Sequence, residues 1–159
     1  MQSKPPSASE VQMTELVLPQ HTNAMGSIFG GVVMSWVDIA AATCAMRHSA
    51  KAVVTASVDT LHFLAPIRLG WIVSLKAVVT HVFNTSCEIA VKVTSENPLT
   101  GESYSNAEAF LTFVALNSHG HPTLITPLEL KTEAEKKLSL SAIQRRASRL
   151  LLKETLLKI

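Results

Sequence analysis

Ile28 to Met46 is the most apolar stretch of the chain, and a carboxylate, Asp38, stands in its middle. Gly30, Gly31, Val32, Val33, Met34, Trp36, Val37, Ile39 and Ala40 surround it in sequence, and a charge so placed is costly unless it is paired or used. The run is long enough to raise a membrane question. Asp38, Ser35 and the paired glycines instead argue for a helix buried in protein, starting near Phe29 to Gly31 and ending near His48. No transmembrane span is expected.

The chain has 159 residues, enough for one domain and one core; 47% hydrophobic against 16% charged residues excludes disorder. So few charges imply apolar area buried between subunits as well as within one, so a homo-oligomer is expected. The net charge of +2 and the 5% aromatic content argue against nucleic acid as a partner. Cys44 and Cys87 form neither a disulfide framework nor a metal spacing, which fits a reducing, cytoplasmic compartment. Residues 1–10, rich in Ser and Pro, lack the basic start and apolar core of a signal peptide and read as a disordered lead.

Val11 to Leu18 is a strand candidate ended by Pro19, and His21 to Gly26 is a loop. From Ala52 to His62 the pattern alternates, with Ala52, Val54, Ala56 and Val58 on one face and Thr55, Ser57 and Asp59 on the other. Further strands are expected over Trp71 to Val82, Glu88 to Thr94 and Tyr104 to Leu116, separated by turns at 81–86 and 97–101. One strand, a long helix and four strands without crossover helices predict an α+β domain over 11–127, an antiparallel sheet wrapped around the helix. Residues 128–159 form a charged tail: Ser141 to Gln144 has capping-box spacing before an amphipathic helix with Ile143, Ala147, Leu150, Leu151 and Leu157 on one face. Packing on its own or a neighbouring subunit is the plainer role for that helix, with phosphate or membrane-surface binding as the alternatives.

On the central helix, Gly31, Ser35, Ala41, Ala42 and Ala45 share the face of Asp38, leaving room for a ligand or another backbone, with Val33, Trp36, Val37 and Ile39 against the sheet. Gly30 and Gly31 at the helix start offer unpaired N–H groups and the positive end of the dipole to an oxyanion or phosphate. Asn23, in the preceding loop, can add an amide donor or hold a water. These parts suit attack of water on an activated carbonyl with the carboxylate as base. Equally, Asp38 could be a buried interface residue and Asn23 a turn former.

The run from His21 through Gly26, Gly30-Gly31 and Trp36-Val37-Asp38 to Ala41 closely resembles the central-helix signature of hotdog-fold acyl-CoA thioesterases. The likeness continues through Val58 to Ile67, Thr85-Ser86, Asn106-Ala107 and Phe110 to Ala115. It implies the hotdog fold and hydrolysis of acyl-CoA to free CoA and a carboxylic acid, with Asn23 and Asp38 catalytic and no cofactor beyond the coenzyme A carried by substrate and product. It further implies that the two residues of one site come from different subunits, that dimers assemble into hexamers, and that CoA lies near Thr85-Ser86 and Arg68 to Gly70. Trp71 stands where the family commonly has an acidic residue. A non-catalytic acyl-CoA sensor of the same fold is the alternative, and a hydratase would want a histidine near Asp38, for which His21 is the nearby candidate. Asp59 can bond a neighbouring strand, the plainer role, or shape the site; Arg47 and His48 read as cations at a helix C-terminus, and His119-Gly120-His121 as a surface turn lacking further metal ligands.

Overall fold

The computed structural model describes residues 2–59 and 61–158. Its strands are β1 (Val11–Leu16), β2 (Ala52–Val58), β3 (Ile72–Val82), β4 (Ser86–Glu96) and β5 (Ser103–Leu116), and its long helices are α1 (Gly30–Ser49) and α2 (Glu133–Leu157). The sheet runs β1-β3-β4-β5-β2, antiparallel throughout. It wraps α1 on one face, as expected from the strand and helix order, and carries α2 on the other; this is the hotdog fold that the resemblance implies. Neither helix is long and apolar enough to cross a membrane.

Burial at intervals of three and four residues explains how α1 sits. Val33, Trp36, Val37, Ala40, Ala41, Cys44, Ala45 and His48 pack inward, against Val73, Leu75, Ala77 and Val79 of β3 and Ile89, Val91 and Val93 of β4. This corrects the expected division of the helix: Ala41 and Ala45 belong to the core and Ala42 packs half-buried against it, whereas Ile39 is exposed, so Gly31, Ser35 and Asp38 remain on the open stripe. The helix ends at Ala50, whose left-handed φ of 53° aims its N–H at Met46 O, 2.8 Å away. The cations near this end do not cap it. His48 is buried between Ser9 Oγ and Thr126 O, and Arg47 donates to Glu10 O.

β2 is shorter than expected, and its alternation is reversed in effect. Ala52, Val54, Ala56 and Val58 are exposed, while Thr55 faces α1 and a bulge between Thr55 and Ser57 shifts the register against β5. The polar lead is also ordered from Lys4 onward: Lys4 exchanges backbone hydrogen bonds with Pro127 and Glu129, and Ser9 is buried.

The tail helix starts eight residues before Ser141. Thr132 caps it, accepting from Glu135 N at 3.1 Å, while Glu135 reaches back to Thr132 N. Its inward face is not the leucine face but the basic one. Arg145 makes two bonds to the fully buried carboxylate of Glu88, at 2.7 and 3.1 Å, and stacks on Phe110; Arg149 pairs with Asp59 at 2.9 Å. Thr80 completes the Glu88 site at 2.6 Å. Glu88 on β4, Phe110 on β5 and Asp59 just past β2 explain this inversion: they present acids and an aromatic ring to the helix, so guanidinium groups satisfy it better than leucine does.

Candidate active site

Asp38 lies about 12 Å along α1 from Gly30, from eight residues at 1.5 Å each. One carboxylate oxygen accepts a 2.8 Å hydrogen bond from Thr55 Oγ1 on the edge strand β2. The other takes no hydrogen bond among the described residues, so it is free to accept a proton or bind water. Thr55 was not singled out from the sequence. The available signal was a strand with a polar face directly following a helix that carries one unpaired acid.

Asn23 is held by its own loop. Its side-chain oxygen accepts from Met25 N at 2.9 Å and Ser27 N at 3.2 Å, while its backbone N–H donates to Ser27 O at 2.9 Å. Gly26, with φ of 75°, makes that turn possible. The turn-forming role and a chemical one therefore coexist: the oxygen is consumed by the turn, and the side-chain NH₂ has no acceptor among the described residues. Gly30 and Gly31 likewise donate their N–H groups to no acceptor among the described residues. The Phe63 ring would lie 3.3 Å from a Cβ at Gly30; at Gly31 the space is open.

Within one chain these groups do not converge on one reacting atom. The helix N-terminus and Asp38 are separated by two turns, whereas a base and an oxyanion donor must both lie near a single carbonyl. The surrounding surface is apolar and uncovered: Phe29, Met34, Ile39, Met46, Val54 and Phe63 are all exposed, an unusual concentration for a lone chain. Arg68 sits beside the Asn23 loop, through the Ser27–Arg68 bridge and the hydrogen bond from Leu69 N to Gly26 O. Thr85 and Ser86 instead follow the far end of β3, so the strand's length, roughly 35 Å, separates the two CoA-binding candidates. Thr85 and Ser86 line a polar cavity of about 440 Å³ with Arg146, whose guanidinium lies over Phe83.

The thiols and several of the histidines are held in structural settings. Burial pushes the thiols of Cys44 and Cys87 up to about 12. His21 packs its ring edge-on against Trp36 and accepts from Leu18 N. Asn117 gathers the N–H groups of His119 and His121 into a turn, and no cluster of metal-ligating side chains occurs among the described residues.

A family model described as thioesterase superfamily matches residues 25–102. A Bacillus subtilis protein named uncharacterized acyl-CoA thioester hydrolase YkhA is 42% identical over 137 residues, covering 86% of this chain and 80% of the relative. The chain belongs to the thioesterase superfamily. The mouse acyl-coenzyme A thioesterase 11 is 38% identical to this superfamily member, which spans 25% of its length. Among solved structures, an apo-hexameric acyl-CoA thioesterase is 42% identical with a TM-score of 0.92, covering 96% of this chain and 98% of that one. An acyl-CoA hydrolase from Staphylococcus aureus, solved with butyryl coenzyme A and coenzyme A, is 34% identical with a TM-score of 0.86 over 97% and 96%. Variants of that hydrolase with an aspartate, a threonine or an asparagine replaced by alanine are also similar to this chain.

Proposed function

We propose that the protein hydrolyses acyl-CoA thioesters to coenzyme A and a carboxylic acid, with Asp38 as general base. The observation that carries the reading is the Thr55–Asp38 hydrogen bond. The asparagine, aspartate and threonine replaced in the S. aureus hydrolase stand fifteen and seventeen positions apart in that order, the same spacing as Asn23, Asp38 and Thr55. Three residue types at matching intervals on a shared fold support a common site.

Thr55 holds one carboxylate oxygen, and the other removes a proton from water as that water attacks the thioester carbonyl. The carbonyl oxygen becomes an oxyanion, which the free N–H groups at Gly30 and Gly31 stabilise. Collapse of the tetrahedral intermediate breaks the C–S bond, and the proton held by Asp38 neutralises the departing thiolate. The side-chain NH₂ of Asn23, fixed by its turn, orients the water or the carbonyl. Because Asp38 and the helix start of one chain are too far apart, a second copy supplies the Asn23 loop and glycines. The exposed apolar surface of α1 and the unpaired edge of β2 form that dimer contact. Arg68, Thr85 and Ser86 contact the CoA moiety across more than one subunit.

Thiol release from a panel of acyl-CoA chain lengths, followed with a thiol-trapping dye, tests this reading. Wild type is expected to turn over and Asp38→Ala to lose at least a hundredfold in kcat. Binding of acyl-CoA without thiol release would instead mark a sensor.

A further inference from the structure

The arginines of α2 fasten it to the sheet and leave an apolar flank of the helix partly exposed to solvent. That face carries Leu140, Ile143, Ala147 and Leu150, with the three large residues 63%, 46% and 47% exposed. Lys136 and Glu154 continue the same stripe at its two ends. The intervals run four, three, four, three and four, the heptad spacing of a helix that packs along another helix.

The series is also self-complementary. Reversed, it sets Lys136 against Glu154, Leu140 against Leu150 and Ile143 against Ala147, and then repeats these pairs in mirror order. A two-fold-related antiparallel copy thus meets opposite charges at both ends and a large residue against a small one near the centre. A parallel copy would set Lys136 on Lys136 and Glu154 on Glu154. A lipid surface would meet Glu154 at one end of this face with no partner for its charge, which disfavours it.

We propose that this face of α2 docks antiparallel on α2 of a second copy. Four apolar side chains fall short of the roughly 800 Å² per partner of a standard stable interface, so the contact joins copies already paired elsewhere. It rests for that on the α1–β2 dimer contact proposed above. Two different two-fold contacts on one chain alternate around a closed ring of even number, four chains in D2 symmetry or six in D3. The hexameric relative has the second of these numbers.

Native mass of the full-length protein, measured by light scattering after gel filtration, tests the seam without reference to catalysis. Wild type is expected at six chains and Leu140→Glu/Leu150→Glu at two, with thiol release per chain retained. Lys136→Glu and Glu154→Lys should each favour the smaller species, and Lys136→Glu combined with Glu154→Lys should restore the larger one. If the leucine double variant loses its helical circular dichroism, the charge variants, at exposed positions, decide alone. A wild-type protein of two chains or fewer overturns the proposal. So does a folded leucine double variant that keeps wild-type mass, or a charge swap that fails to restore what its single changes disrupt. Loss of thioesterase activity in wild type would sink the catalytic reading and leave the mass result standing.

Discussion

Replacing Thr55 by valine removes one hydroxyl and little else. Valine keeps the β-branch that suits the edge strand, so the fold should hold. What disappears is a 2.8 Å hydrogen bond donated to a carboxylate, and bonds to charged groups contribute about 1.5–3 kcal/mol. In one chain Thr55 is exposed and Asp38 half-buried, which places the value near the lower end; coverage by a second copy moves it toward the upper. At 1.36 kcal/mol per factor of ten, kcat should fall about tenfold to a hundredfold. The hydroxyl touches the base and not the ligand, so KM should stay within about twofold. Steady-state thiol release on one acyl-CoA, with a melting curve for each protein, reads all three quantities. A Thr55→Val enzyme with kcat within about twofold of wild type refutes the positioning role. A raised KM with unchanged kcat would move Thr55 from the base to the binding surface.

Arg145→Ala leaves the fully buried Glu88 carboxylate with Thr80 alone; breaking such a pair costs about 3–5 kcal/mol, and a melting temperature lowered by on the order of 10 °C is expected. Ala50→Gly relieves the left-handed φ of 53° at the end of α1 and should add about 0.5–1 kcal/mol in a urea titration. Burial holds the His48 imidazole below its ordinary pKa of 6.5 despite its bond to Thr126 O. The unfolded chain therefore binds a proton that the folded one refuses, so stability is full above about pH 6.5 and falls as pH drops below it. His48→Gln should flatten the part of that decline that His48 contributes in urea titrations at pH 5 and 7, and an unchanged slope would count against the assignment.

The central helix and the four following strands were legible because their apolar residues repeat with unambiguous periods, and α1 begins and ends within a residue or two of its expected limits. Asp38 was legible for a related reason, since one charge in an apolar helix has few innocent explanations. Thr55 was not, because a threonine on an alternating strand is ordinary until its helix partner is known. The tail misled for a physical reason. Its leucines invite burial, but the outward face of β4 and β5 presents Glu88 and Phe110, so Arg145 turned inward. The true start of α2 at Thr132 was written as plainly as Ser141 to Gln144, and two capping-box spacings cannot be ranked by local pattern alone. The separation of Arg68 from Thr85 and Ser86 needed the length and direction of β3.

The central claim is a site built from two chains, and it is tested most directly by complementation between two inactive variants. Asn23→Ala and Asp38→Ala, each inactive alone, are co-expressed with different tags and the mixed assembly is assayed for thiol release. Random pairing gives half heterodimers, each with one intact site of two, so about a quarter of wild-type activity should return. Activity no higher than that of either variant alone, in an assembly shown to contain both chains, would contradict the account.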